Sequence, residues 1–161
     1  MVLIEAARHF LLLHKVTIIM ENKMKFSALA LGIAIFCYPA FAQDRSPAPE
    51  GASAYIVSPK DGATVSSPLK VVFGLAGMGV APAGVEKKNT GHHHLIIDSD
   101  LPPMNEPVPS DAHHRHFGGG QTEVTIKLAP GNHTLQLVMG DHNHIPHDPP
   151  IISKKISIPV K

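Results

Sequence analysis

The chain predicts an all-β fold, a small antiparallel immunoglobulin-like β-sandwich of about seven strands, preceded by a signal peptide. Three observations predict the fold. From Ala54 onward, β-rich runs recur about every ten residues with turn signals between them. Glycine and proline supply 26 of the 119 residues after position 42, a level that suits short strands joined by turns. No stretch of that region carries a sustained helical period. A small barrel is the alternative closure of the same strands.

The N-terminal elements come first. Met24 and Lys25 open a short basic start, followed by the apolar run "FSALALGIAIFCY" and the small-residue site "PAFAQ". This is the three-part layout of a secretory signal over 24–42, with cleavage expected between Ala42 and Gln43. The run is too short to prefer a permanent membrane anchor. Cys37 follows bulky Phe36, which argues against a lipoprotein site. Residues 1–23 stand upstream of this complete signal, as an early start codon (Met20 and Met24 are both available) or a long n-region would leave them. The expected location is periplasmic or secreted, with no membrane association after cleavage.

The exported part, 43–161, suits one domain in length. Its only candidate thiol, Cys37, leaves with the signal, so neither disulfides nor thiolate ligands are available. Ten basic against eleven acidic side chains leave no basic surplus, which excludes nucleic acid as a natural partner. Residues 43–53, "QDRSPAPEGAS", read as a polar, aperiodic linker, and 54–161 as the sandwich.

Within it, "AYIVS" is a first strand and "PKDGA" a turn, and "LKVVFGLAG" (69–77) is a second strand. "HHHLIID" is a third. "QTEVTIKL" alternates, with Thr122, Val124, Ile126 and Leu128 facing one way. "APGNH" turns into "HTLQLVM", and "IISKKISIPV" supplies the last strand. The loop 99–120 is long for a structureless connection, which marks it as functional or mobile. The glycines of "HFGGGQTE" precede a strand, with no Lys-Ser/Thr after them, so a phosphate loop is rejected.

Ten histidines fall in the exported part, concentrated in "GHHHLIID", "DAHHRHF" and "GDHNHIPHDPP". On a strand, residues i and i+2 share a face about 6.5–7 Å apart. Two imidazoles so placed can converge on one ion about 2 Å from each nitrogen. His92 and His94 form such a pair, with His93 turned away; His142 and His144 repeat the spacing. His116 in the long loop and His147 beyond Pro146 complete the expected metal ligands. An all-nitrogen set suits copper or zinc. Asp98, Asp141 and Asp148 are candidate ligands or acceptors that orient an imidazole, and Asp148 in "HDPP" more simply caps a turn.

With those residues in view, the chain resembles a family of bacterial periplasmic proteins known as a domain of unknown function. The resemblance rests on "SPKDGATVSSPLKVVFGLAGMGVAPAG", "TGHHHLIIDSDLP", "HFGGGQTE", "PGNHTLQLVMGDHNHIPHDPP" and "ISKKISI", nearly all of 54–158. It implies export and a β fold, and carries no established reaction. A weaker resemblance is to copper–zinc superoxide dismutases. It implies His92 and His94 as strand ligands, His116 as a loop ligand and His142 as a late ligand, without that family's disulfide cysteines.

The leading reading is a metal-binding module that stores, delivers or confers tolerance to copper or zinc; a periplasmic protein is a candidate partner. One alternative is a superoxide-dismutase-like metalloenzyme with Asp98 or Glu123 as base. The other is a structural or interaction domain whose histidines form a hydrogen-bond network.

Overall fold

The computed structural model describes residues 45–161, so the upstream extension and the signal peptide expected from the sequence lie outside the described residues. Among them are eight strands and no helix: β1 (Ser53–Ser58), β2 (Leu69–Ala76), β3 (Gly79–Val80), β4 (Thr90–Ile97), β5 (His114–His116), β6 (Glu123–Ile126), β7 (Gly131–Gly140) and β8 (Ile156–Val160). They form two sheets. One has the order β1-β2-β6; the other runs β3-β4-β7-β8, with β5 also paired to β4. All pairings are antiparallel except the short β3–β4 contact. Strands β1, β2 and β6 thus oppose β4, β7 and β8, the partition of an immunoglobulin-like sandwich, with β5 as an added strand beside β4.

The period-two alternation of these strands builds the layer between the sheets. Leu69, Val71 and Phe73 of β2 and Ile126 of β6 meet Leu95 and Ile97 of β4, Leu135, Leu137 and Met139 of β7, and Ile158 of β8 in one buried cluster. Val124 and Leu128 pack against it, in keeping with the alternation read from "QTEVTIKL". Each large aliphatic side chain taken out of water here is worth roughly 1.5–3 kcal/mol.

Strand β4 is buried on both faces from Gly91 to Ile97. Its odd-numbered residues His93, Leu95 and Ile97 face the opposing sheet. His93 lies 5.2 Å from the Phe73 ring, which in turn meets Phe117 edge-on at 4.8 Å. Its even-numbered residues, His92, His94 and Ile96, face outward. There Ile96, Val138, Val108 and Leu101 make a second, smaller cluster under the loop that follows β4. The segment expected to be a structureless loop is therefore partly structural: it supplies Val108 to this cluster, the strand β5, and Phe117 to the main core.

Two further expectations change. Strand β7 ends at Gly140, so His142 and His144 stand in a turn and not as a same-face strand pair. The linker expected over 43–53 is docked where it is described. Arg45 donates to the carbonyls of Pro146 (2.9 Å) and His147 and pairs with Asp148, and Pro47 bridges Asp148. The sequence reads as a tether because these contacts are backbone and polar, and its only core contacts are the small Ala48 and Ala52, which leave no hydrophobic period.

Candidate metal centre

The outward face of β4 presents His92 and His94 two residues apart. The antiparallel register sets His116 of β5 directly opposite His94, so its ring falls on the same face. On the other side, β7 sets Gly140 opposite His92. A Cβ at Gly140 would stand 2.8 Å from His94 Nε2, so only glycine leaves room for that ring. After Gly140 the chain turns back over the pair and delivers His144 from above.

That turn is organised by Asp141, which is 3% exposed. One of its carboxylate oxygens accepts from the backbone N–H of Asn143 (2.9 Å) and Ile145 (3.0 Å); the other accepts from Ser46 Oγ (2.7 Å). The His144 N–H donates to the Asp141 carbonyl, and the His144 carbonyl accepts from Val108. His144 itself has φ of 68°, a left-handed conformation uncommon for residues other than glycine, though histidine adopts it more readily than most. Such strain persists only where the surroundings over-determine it, and it concentrates at functional positions.

The result is a compact group of four imidazoles. His92, His94, His116 and His144 each offer a ligand atom, all within 4.8 Å of one another. Ring centroids are 4.7–6.0 Å apart across the group. His92 Nε2 stands 3.1 Å from both His94 Nε2 and His144 Nδ1. A neutral ring nitrogen carries either one proton or one lone pair, so His92 Nε2 can satisfy only one of these neighbours by a hydrogen bond. Around a tetrahedral ion with bonds of about 2.0–2.1 Å, ligand nitrogens lie about 3.3–3.4 Å apart, close to the spacing found. His116 Nε2 is buried without a hydrogen-bond partner. The Nδ1 atoms of His92 and His94 likewise have none among the described residues, so a second tier of acceptors behind these two rings is lacking.

Electrostatics disfavours the charged form of His92, His94 and His116. Burial, then the neighbouring His116 and His144, pushes His92 down to about 4. Burial, then His92, His116 and His144, pushes His94 down to about 2. His116 is lowered by burial and by His144. The cause is that a charged imidazole is disfavoured away from water and beside others that would also charge. Neutral imidazole is the form that donates a lone pair to a metal. Asp141 is raised by burial but lowered more by the donors from Ser46, Asn143 and Ile145, and the net direction is down.

Of the six histidines expected as ligands, these four converge. His142 and His147 do not join them. His142 pairs with Asn143 Nδ2 at 2.9 Å. The His147 ring is buried between backbone carbonyls, 3.2 Å from that of Thr90 and 3.5 Å from that of Met139, and a Cβ on Gly91 would strike it at 2.8 Å. His147 therefore acts as a brace between strand ends. His144 takes the late position that the dismutase resemblance gave to His142. His93, excluded by alternation, is in the core.

The acidic candidates also separate. Asp98 is at the far end of β4, where it accepts from His133 (2.6 Å) and the Thr134 N–H (2.7 Å). Asp148 pairs with Arg45, and Glu123 with Lys70 on the surface. Asp141 shapes the ligand loop. Sequence reasoning missed Ser46 and Gly140; "GDHNH" held a clue to the second, since a glycine beside a histidine-rich turn marks close approach.

Fold and site define an all-β, two-sheet protein with a buried four-histidine group that can hold a metal ion. The chain belongs to the family described as "Domain of unknown function (DUF4399)", whose sequence model matches residues 71–161. No curated protein matches it in sequence. Among solved structures it is similar to one titled "Structures of Clostridium thermocellum CbhA fibronectin(III)-like modules", at 13% identity and a TM-score of 0.36. That match covers 68% of this chain and 45% of the other, so the chain spans less than half of that relative's length.

Proposed function

We propose that the protein is an exported binding module that takes one zinc or copper(II) ion through His92, His94, His116 and His144, for storage, delivery or tolerance. The observation that carries this reading is the position of His92 Nε2, 3.1 Å from two other ring nitrogens when it can hydrogen-bond only one. An ion among the rings resolves that conflict. Four imidazoles complete a tetrahedral shell without an open position, which favours holding an ion over catalysis on it. The candidate bases give the metalloenzyme reading no support, since Asp98 and Glu123 are engaged elsewhere.

The test uses untagged residues 43–161, the exported part expected from the sequence. The protein is loaded with zinc or copper(II), desalted, and assayed for metal content and melting with and without chelator. About one ion per chain is expected. Free ion at 100 times Kd adds about 2.7 kcal/mol. For a domain of this size, that raises the melting temperature by about 10 °C. The double substitution His92→Ala and His94→Ala should remove both effects. No retained metal and an unchanged melt would favour the rival reading, in which the same short contacts belong to a hydrogen-bond network.

A further inference from the structure

The segment Arg45–Ala48 lies against the ligand turn, and its contacts continue to His144. Ser46 Oγ donates to Asp141 at 2.7 Å, and the Ser46 carbonyl accepts from the Asp148 N–H at 2.9 Å. The Ala48 N–H donates to the Asp148 carbonyl at 2.8 Å. Arg45 holds the carbonyls of Pro146 and His147 and pairs with the Asp148 carboxylate at 3.2 Å. The turn Asp141–Asp148 is thereby held at both ends by a segment distant in sequence. Asp141, in turn, fixes the Asn143 and Ile145 amides on either side of His144, whose φ of 68° needs such support.

We infer that Arg45 and Ser46 are positioning residues of the metal centre: together they latch the turn Asp141–Asp148 so that His144 is held against His92, His94 and His116. Neither residue belongs to the four-histidine group. They act on it through Asp141 and through the backbone of 146–148. The inference rests on the proposed metal reading. It adds that Arg45 and Ser46, in the segment read as a linker, help to hold the centre and are not part of a passive tether. A carboxylate whose donor is removed still holds the turn, but less firmly, and the fourth ligand then samples positions away from the other three. Partners of this outer kind change metal affinity about 10–100-fold.

The experiment compares residues 43–161 with the variants Ser46→Ala, Ser46→Thr and Arg45→Ala. Copper(II) is the probe, read by titration and by its electron paramagnetic resonance spectrum. Amide hydrogen exchange of Asn143 and Ile145 is measured on the chelated proteins. Ser46→Ala should weaken copper(II) about tenfold or more and alter the spectrum, since one nitrogen ligand is no longer held. It should also speed exchange at both amides, and Ser46→Thr, which keeps the hydroxyl, should restore all three. Arg45→Ala, acting at the other end of the turn, should lower affinity independently, which covers the case of a poorly folded Ser46→Ala. Unchanged affinity and spectrum in folded Ser46→Ala and Arg45→Ala, with wild type binding normally, would overturn the latch alone. Failure of wild type to bind would overturn the metal reading and the latch with it. Unchanged exchange at Asn143 and Ile145 in Ser46→Ala would overturn the latch irrespective of metal.

Discussion

Gly140→Ala probes the centre with one added carbon. Gly140 lies outside the left-handed backbone region, so alanine brings no conformational penalty there. The new Cβ would stand 2.8 Å from His94 Nε2, 3.2 Å from His94 Cδ2 and 3.3 Å from the His144 carbonyl carbon. Ordinary contact begins at 3.4 Å, so the His94 ring must yield by about 0.6 Å. His94 is fully buried and has no room to do so at little cost. Overpacking of this kind destabilises by about 1–3 kcal/mol, which should appear as a lower melting temperature in the chelated protein. Metal–nitrogen distances hold within about 0.2 Å, so the displacement is also large for a ligand. Zinc titration should show Kd rising by about 10–100-fold, the scale for a misplaced ligand. Gly79→Ala is the control: its Cβ would meet Thr90 Cγ2 at 3.4 Å and lies on β3, away from the four rings. A folded Gly140→Ala protein with wild-type zinc affinity would refute the placement of His94 Nε2 in the centre.

Other outcomes follow from the charges and the core. In the metal-free protein, His92 and His93, lowered to about 4, and His94, lowered to about 2, are neutral when folded but protonate near 6.5 when unfolded. Stability is therefore lost as pH falls below 6.5 and continues to fall until the folded values are reached, at about 1.4 kcal/mol per pH unit for each ring. Denaturant titrations at pH 7.5 and 5.5 should show this; equal stabilities would mean the rings are hydrated. His133 has the opposite sign. Its hydrogen bond to Asp98 raises its pKa, so its contribution is fully present below 6.5 and lost as pH rises through the raised value. An NMR titration should place His133 above 6.5, and Asp98→Asn should return it toward that value. Leu137→Ala, at a fully buried position of β7, should cost about 2–5 kcal/mol by chemical denaturation without changing metal stoichiometry.

Much of this was legible before folding because strand geometry is local. A period of two decides, without any tertiary information, that His92 and His94 share a face and that His93 takes the other. It likewise sorts Val124, Ile126 and Leu128 from their polar neighbours, and turn residues mark where most strands end. These are properties of a few consecutive dihedral angles. The same reasoning failed at "GDHNH" because the spacing of His142 and His144 is a strand pattern only if the chain stays extended. Asp141 instead captures the next amides and His144 turns left-handed, so one of the two histidines enters the group and the other does not.

The identity of the centre was decided by tertiary structure alone. His116 reaches His94 through the register of β4 with β5, across a connection of sixteen residues whose closure no local pattern encodes. Gly140 comes to His92 through β4–β7 pairing, and Ser46 reaches Asp141 over a separation of 95 residues. By itself the sequence determined an all-β chain, the inward and outward faces of its strands, and a surplus of histidine in three places. Which four imidazoles meet, and which segment holds them there, depends on pairing between distant strands, because convergence in space is set by register and loop closure and not by composition.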